Sequence, residues 1–262
     1  MRANSPIPDT GTMDERGVSE VLSFVLVFGI ILSSVVVVGM VGFDSIQSYQ
    51  QLEQQGNAER AMNAFADNAN DIVRYDGVNR RAGDLTLREG VVDPGASGSE
   101  MNVSVHDGGD ELWNSSGTYG DDIGAFTYES ESGTIAYEGG AVFREATDGT
   151  SVMRTDPMVT CRDDDIAMLS LVVINESEQS IQATDTVAFD IRENETKSTR
   201  TVFDDADTLT VSLNGDDGHE SGWEMYFEHN GWDESSNEWS CESVERVSVD
   251  IVEVDISYPE IG

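Results

Sequence analysis

The chain has 262 residues, with 14 basic against 51 acidic side chains, a formal charge of −37 and a pI near 4.1. So negative a field repels phosphate backbones and excludes nucleic acid as a natural partner. Hydrophobic residues at 38% and aromatics at 8% supply enough apolar surface for a core, which excludes global disorder.

The acidic residues are spread along the chain rather than gathered in a tail, and Lys197 is the only lysine. A carboxylate-rich, lysine-poor surface suits a solvent of molar salt. There the Debye length is about 3 Å and self-repulsion is screened. An ordinary acidic surface is the other reading.

Residues 21–43 contain no charge. As a helix they would extend roughly 30 Å or a little more, enough to cross a bilayer. A secretory signal would have a shorter apolar core, a basic leader and a small-residue cleavage site after the core. The leader here has only Arg2 and Arg16, and no A-x-A stands directly after the run, so the run is expected to be retained. The first basic residue beyond it is Arg60, so positive-inside counting favours a cytoplasmic N-terminus. Gly29 and Ser33, four apart, permit close packing against another helix.

Immediately before the run stands Arg16-Gly17-Val18-Ser19-Glu20. Over about the first sixty residues the sequence resembles the archaeal type IV pilin-like proteins, particularly those of halophiles. Their leaders end in a basic residue and a glycine ahead of an uninterrupted apolar helix. The resemblance implies cleavage after Gly17 by a prepilin-type peptidase on the cytoplasmic face, a mature chain starting at Val18, and other pilin-like subunits as partners. One position departs from the bacterial pattern. The fifth mature residue there is glutamate, whereas here it is Leu22, and the only nearby acid is Glu20. Glu20 either pairs with the Val18 amine or favours the positive end of the helix.

Beyond Phe43 the helical period continues through Ile46, Tyr49, Leu52, Met62, Phe65, Ala69 and Ile72. One helix is therefore expected from Ser19 to Tyr75, its outer half laying an apolar stripe on something, with Asp76-Gly77 as its end. After Gly83 the period becomes two. Met101/Val103/Val105, Val187/Phe189/Ile191 and Leu209/Val211/Leu213 alternate with polar residues as half-buried strands do. Residues 168–174 are mostly apolar and read as a central strand covered on both faces. In residues 247–258 the apolar phase slips by one, which predicts a bulge at Ile251-Val252. Roughly ten strands suggest one antiparallel sandwich or barrel, with a split near Asp156-Pro157 as an option.

The expected class is thus α+β, a long N-terminal helix followed by a mainly antiparallel β-domain. Its parts are a leader (1–17), a transmembrane half-helix (18–43), an amphipathic stalk half-helix (44–76) and an acidic extracellular β-domain (84–262). Cys161 and Cys241 fit no metal spacing; they read as one disulfide or as two buried thiols. Sequons begin at Asn102, Asn114, Asn175 and Asn194, reachable by a glycosylation enzyme if the domain is outside the cell.

No constellation nominates a catalytic, cofactor or metal site. Asp216, Asp217, His219 and Glu220 read as a solvated turn, and Trp223, Trp232 and Trp239 as core or edge packing rather than a sugar platform. The expectation is a non-enzymatic, single-pass membrane protein, a minor or accessory subunit of a type IV pilus-like assembly. The alternative is a solitary anchored binding module that forms no filament.

Overall fold

The computed structural model describes residues 15–87, 89–116, 118–119, 122–145, 149–162, 165–175, 180–183, 186–214 and 218–259, with backbone alone for 15–19, 41–48 and 50–52. The chain forms two compact units, Met1–Gln51 and Leu52–Gly262, and the boundary falls inside helix α1 (Glu15–Arg74). No further split occurs near Asp156-Pro157; residues on both sides belong to the second unit.

From α1 the chain runs through β1 (Arg80–Thr86), β2 (Gly90–Ala96), β3 (Met101–Asp107), β4 (Asp110–Asn114), β5 (Ala125–Ser130), β6 (Gly133–Glu138), β7 (Ala141–Glu145), β8 (Ser151–Thr155), β9 (Met158–Arg162) and β10 (Ile166–Asn175). It continues through β11 (Ile181–Ala183), β12 (Thr186–Glu193), β13 (Thr199–Phe203), β14 (Thr208–Leu213), α2 (Glu220–His229), β15 (Asp233–Ser235), β16 (Glu238–Cys241) and β17 (Arg246–Ser257).

These strands make three sheets rather than one sandwich. The first has the order β1-β12-β17-β10-β9, with β13 also paired to β17. The second is β11-β2-β5-β6-β7-β8 and the third β15-β16-β14-β3-β4. All pairings are antiparallel except the central one, β10 with β17, which runs parallel from Ile166↔Arg246 to Asn175↔Asp255.

Two cores lie on opposite faces of that parallel pair. Leu169, Leu171, Val247, Val249 and Ile251 face one, with the apolar sides of β3 and β14 and the aromatic residues of α2. Val172, Ile174, Val252, Val254 and Ile256 face the other, with the second sheet and α1. The expected doubly covered strand is therefore β10, and the alternations in β3, β12 and β14 all bury the anticipated residues.

The expected bulge at Ile251-Val252 is absent, because the β10 pairing runs through it without a register shift. The apolar residues change face where the strand passes from one core to the other. The irregularity sits instead in the facing chain. On that edge β13 pairs up to Thr199↔Ile251 and β12 from Glu193↔Val254, so residues 194–198 bow out opposite Val252 and Glu253.

The stripe on the second half of α1 is buried at Ala58, Met62, Phe65, Ala66, Ala69, Ile72 and Val73. These residues belong to the β-rich unit, so the helix supplies part of its core. Phe65 stacks on Phe126 at 4.1 Å and meets Tyr137 and Phe189 edge-on. Tyr49 is exposed, and the side chains of Ile46 and Leu52 lie outside the described residues.

Asn70 fixes the helix rotation: its Nδ2 donates to the Gly140 carbonyl at 2.9 Å and its Oδ1 accepts from the Tyr137 hydroxyl at 2.8 Å. That carbonyl belongs to a two-residue β6–β7 turn, Gly139-Gly140, with φ of +59° and +100°, which the right-handed twist of a hairpin favours. The helix ends at Arg74, one residue before the expected Tyr75; the Val78 amide returns to the Tyr75 carbonyl and Gly77 takes φ +80°.

Cys161 on β9 and Cys241 on β16 are joined by a disulfide spanning 80 positions and tying the first sheet to the third. Two stability tests follow, both by denaturant unfolding in high salt. Phe65→Ala should cost about 3–5 kcal/mol through the cavity it leaves. Replacing both cysteines by serine should cost about 4 kcal/mol by freeing the unfolded chain.

Candidate functional site

The first candidate is the apolar half of α1. Residues Glu20–Met40 form a 21-residue stretch long and apolar enough to cross a membrane, and none of it is buried. Helix geometry presents Val, Leu, Ile and Phe on all sides, as a segment surrounded by hydrocarbon would require. Gly29 is exposed, with open space where a Cβ would stand, and Ser33 is exposed as well. The Ser34 hydroxyl is satisfied by the Ile31 carbonyl at 2.8 Å, which removes its need for water.

Glu20 is exposed. Arg16, Gly17 and Val18 lie within α1 with backbone alone described, and residues 1–14 of the leader lie outside the described residues.

The second candidate is a polar cleft of about 270 Å³ at the C-terminal ends of β10 and β17. Here the face that buries Leu171 and Ile251 turns polar, with Glu253 and Asn175 beside Lys197 and Asp122. Asp122 Oδ1 accepts from the Gly98 and Gly124 amides at 2.8 and 2.7 Å, which holds that wall rigid. Gly124, at φ +65°, is packed so closely on the Ile174 carbonyl that a side chain would clash. Glu253 is buried and accepts from Lys197 Nζ at 3.0 Å.

The four sequon asparagines are each half-buried with the side-chain nitrogen engaged. Asn102 donates to the Ser116 hydroxyl, which is the third residue of the Asn114 sequon, and Asn114 donates to Glu111. Asn175 donates to Asp255 and Asn194 to Glu253. Residues 176 and 177 of the Asn175 sequon lie outside the described residues.

The acidic turn at 216–220 is not the solvated loop expected. Asp216 and Asp217 lie outside the described residues, but His219 is buried. Its ring stacks on Phe143 at 4.9 Å and its Nδ1 meets the Ser151 hydroxyl at 2.9 Å. Because Ser151 is also buried, this Ser–His pair has no face for a substrate and serves as a packing link. Trp223, Trp232 and Trp239 are buried around Phe227, as core packing. Among the described residues no three of His, Cys, Asp and Glu converge to hold a metal ion.

Three buried carboxylates, Glu138, Asp190 and Glu253, went unnoticed in the sequence. Glu138 accepts from the Ser99 amide and hydroxyl at 3.1 and 2.7 Å and from Trp223 Nε1 at 2.7 Å. The Ser99 hydroxyl in turn accepts from the His219 amide at 3.0 Å, so the network joins β6, the approach to β3 and the start of α2.

Comparison with known proteins rests on one match. A family model described as a family of unknown function (DUF7289) covers residues 16–258. The chain belongs to that family. No curated protein and no solved structure matches it. In this DUF7289 chain the matched range takes in Arg16, the whole apolar run and the β-rich unit as far as Tyr258.

The Glu138–His219 pair gives a pH prediction for the DUF7289 chain. Burial pushes the Glu138 carboxyl from 4.5 up to about 7, against the pull of its Ser99 and Trp223 hydrogen bonds and with a push from Asp122. Its contribution to stability is therefore full below pH 4.5 and lost as pH rises through 7. Burial lowers His219 from 6.5 to about 4, partly opposed by Glu145, so its contribution is full above 6.5 and lost as pH falls through 4.

Each effect amounts to about 3 kcal/mol, and over the shared window they offset. Glu138→Gln should therefore lose stability, relative to the parent chain, as pH falls from 6.5 to 4. His219→Gln should lose it as pH rises from 4.5 to 7. Denaturant midpoints measured across pH read both; profiles parallel to the parent's would contradict the pairing.

Proposed function

We propose that this chain is a membrane-anchored, pilin-like cell-surface protein, an accessory subunit of a type IV pilus-like assembly that works by non-covalent association rather than catalysis. The observation that carries the reading is the uninterrupted, wholly unburied apolar span Glu20–Met40 standing directly behind Arg16-Gly17-Val18-Ser19. A glycine has no side chain to obstruct a peptidase, and a cut on the leader side keeps the apolar helix attached.

In this reading a prepilin-type peptidase cuts after Gly17, and Glu20 and the new Val18 amine meet at the helix start. The span enters the bilayer with its N-terminus in the cytoplasm, and the acidic β-rich unit stands outside. Gly29 and Ser33 offer a small-residue track for neighbouring pilin-like helices. The β-rich unit could alternatively act alone as an anchored binding module, a reading that the polar cleft beside Glu253 favours.

Intact-mass analysis of the native protein tests the processing step: the expected mass lacks residues 1–17, and a chain still beginning at Met1 would contradict the pilin route. Shearing and fractionating native cells separates the two readings. An accessory subunit leaves with filaments, whereas a solitary module stays with the membrane and survives exchange of its helix for another anchor.

A further inference from the structure

The excursion between β12 and β13 brings four functional groups together. Glu253 Oε1 accepts from Lys197 Nζ at 3.0 Å and from Asn194 Nδ2 at 3.2 Å. The Thr196 hydroxyl donates to Asn194 Oδ1 at 2.7 Å. The backbone holds this arrangement in place. The Asn194 amide donates to the Glu253 carbonyl at 2.8 Å, and the Lys197 and Ser198 amides return to the Asn194 carbonyl at 3.0 and 3.1 Å.

An amine, a carboxamide, a carboxylate touching both nitrogens and a hydroxyl on the carboxamide oxygen are the parts an amide-exchange reaction needs. We infer that Lys197 and Asn194 become joined by an intramolecular side-chain amide, with Glu253 carrying the protons.

The steps balance without any outside reagent. Glu253 takes a proton from the Lys197 ammonium, leaving a neutral amine whose lone pair attacks Asn194 Cγ. The charge that develops on Oδ1 is met by the Thr196 hydroxyl, already in place before the reaction. Glu253 then passes the amine's protons to Nδ2. The Cγ–Nδ2 bond breaks, nitrogen departs as ammonium, and Glu253 ends ionised as it began.

A plain ion pair is the competing explanation, and residue choice weighs against it. Every other basic side chain in this sequence is arginine. Arginine would serve an ion pair at least as well, but its guanidinium keeps its proton and does not attack a carbonyl. Among the described ion pairs, lysine stands at the one place where a carboxamide lies against its carboxylate partner. The bond would pin the five-residue excursion at its base and consume the nitrogen on which the Asn194 sequon depends.

The test is mass spectrometry of the purified full-length chain with fragmentation across residues 190–200. The expected product is lighter than the sequence by one ammonia, resists trypsin at Lys197 and yields no fragment ions between Asn194 and Lys197. Lys197→Arg keeps the charge and should restore full mass. Thr196→Val should leave the fold intact and slow the loss by about 100-fold. Three results would overturn the inference: full mass in the parent chain, a glycan on Asn194, or an ammonia loss that persists in Lys197→Arg. The last would point to succinimide formation through the backbone.

Discussion

The pairing of β10 with β17 is the constraint on which the β-rich unit depends. Two parallel strands cannot be joined by a tight turn, so the chain must travel from Asn175 to Arg246 before the pair closes. Everything laid down on the way, from β11 to β16 with α2 among them, is positioned by that return. The pair is also covered on both faces, which is why β10 carries a long apolar run where an ordinary half-buried strand would alternate. Because the two cores are offset along the strands, each face is half covered. The uncovered half on one side becomes the cleft lined by Glu253 and Asn175.

Charge is used sparingly within this frame. With 14 basic side chains to 51 acidic ones, there are too few cations to go round, and most carboxylates must rely on water or neutral hydrogen-bond donors. Several of the basic residues gather where β1, β12, β13 and β17 meet. Arg80 and Arg192 converge on the buried Asp190, whose carboxyl they hold below its ordinary range against the cost of burial. Arg200 bridges Glu193 and the Ile72 carbonyl at the end of α1. These contacts stitch the edge of the first sheet to the helix. Nearly all of them use arginine, whose planar fork can address two acceptors at once.

How much of this was legible in the sequence depended on whether the signal was local. The helix stripe at Met62, Phe65, Ala69 and Ile72, and the alternations in β3, β12 and β14, follow from period alone. The face change in β17 was legible as a phase slip but not as its cause, since one strand does not reveal that a second core begins at Val252. Short strands such as β15, three exposed residues long, leave no pattern to read. Seventeen strands therefore stand among the described residues where about ten were expected. The Glu138 network joins residues 39 and 85 positions apart, and no spacing rule reaches that far. Lys197 did leave a trace as the lone lysine, whereas Glu253 is one of three acids in β17 and does not stand out.

The placement of Phe65 has a consequence for how the β-rich unit could be released. Its ring, with Met62 and Ile72, fills space between β5, β6 and β12, so this stretch of helix acts as an internal plug. A shedding protease that clipped the Tyr75–Val78 bend would sever the backbone, yet the plug would stay seated. The strands would remain tethered until some agent extracted it, so liberating the β-rich unit intact calls for a cut upstream of Ala58.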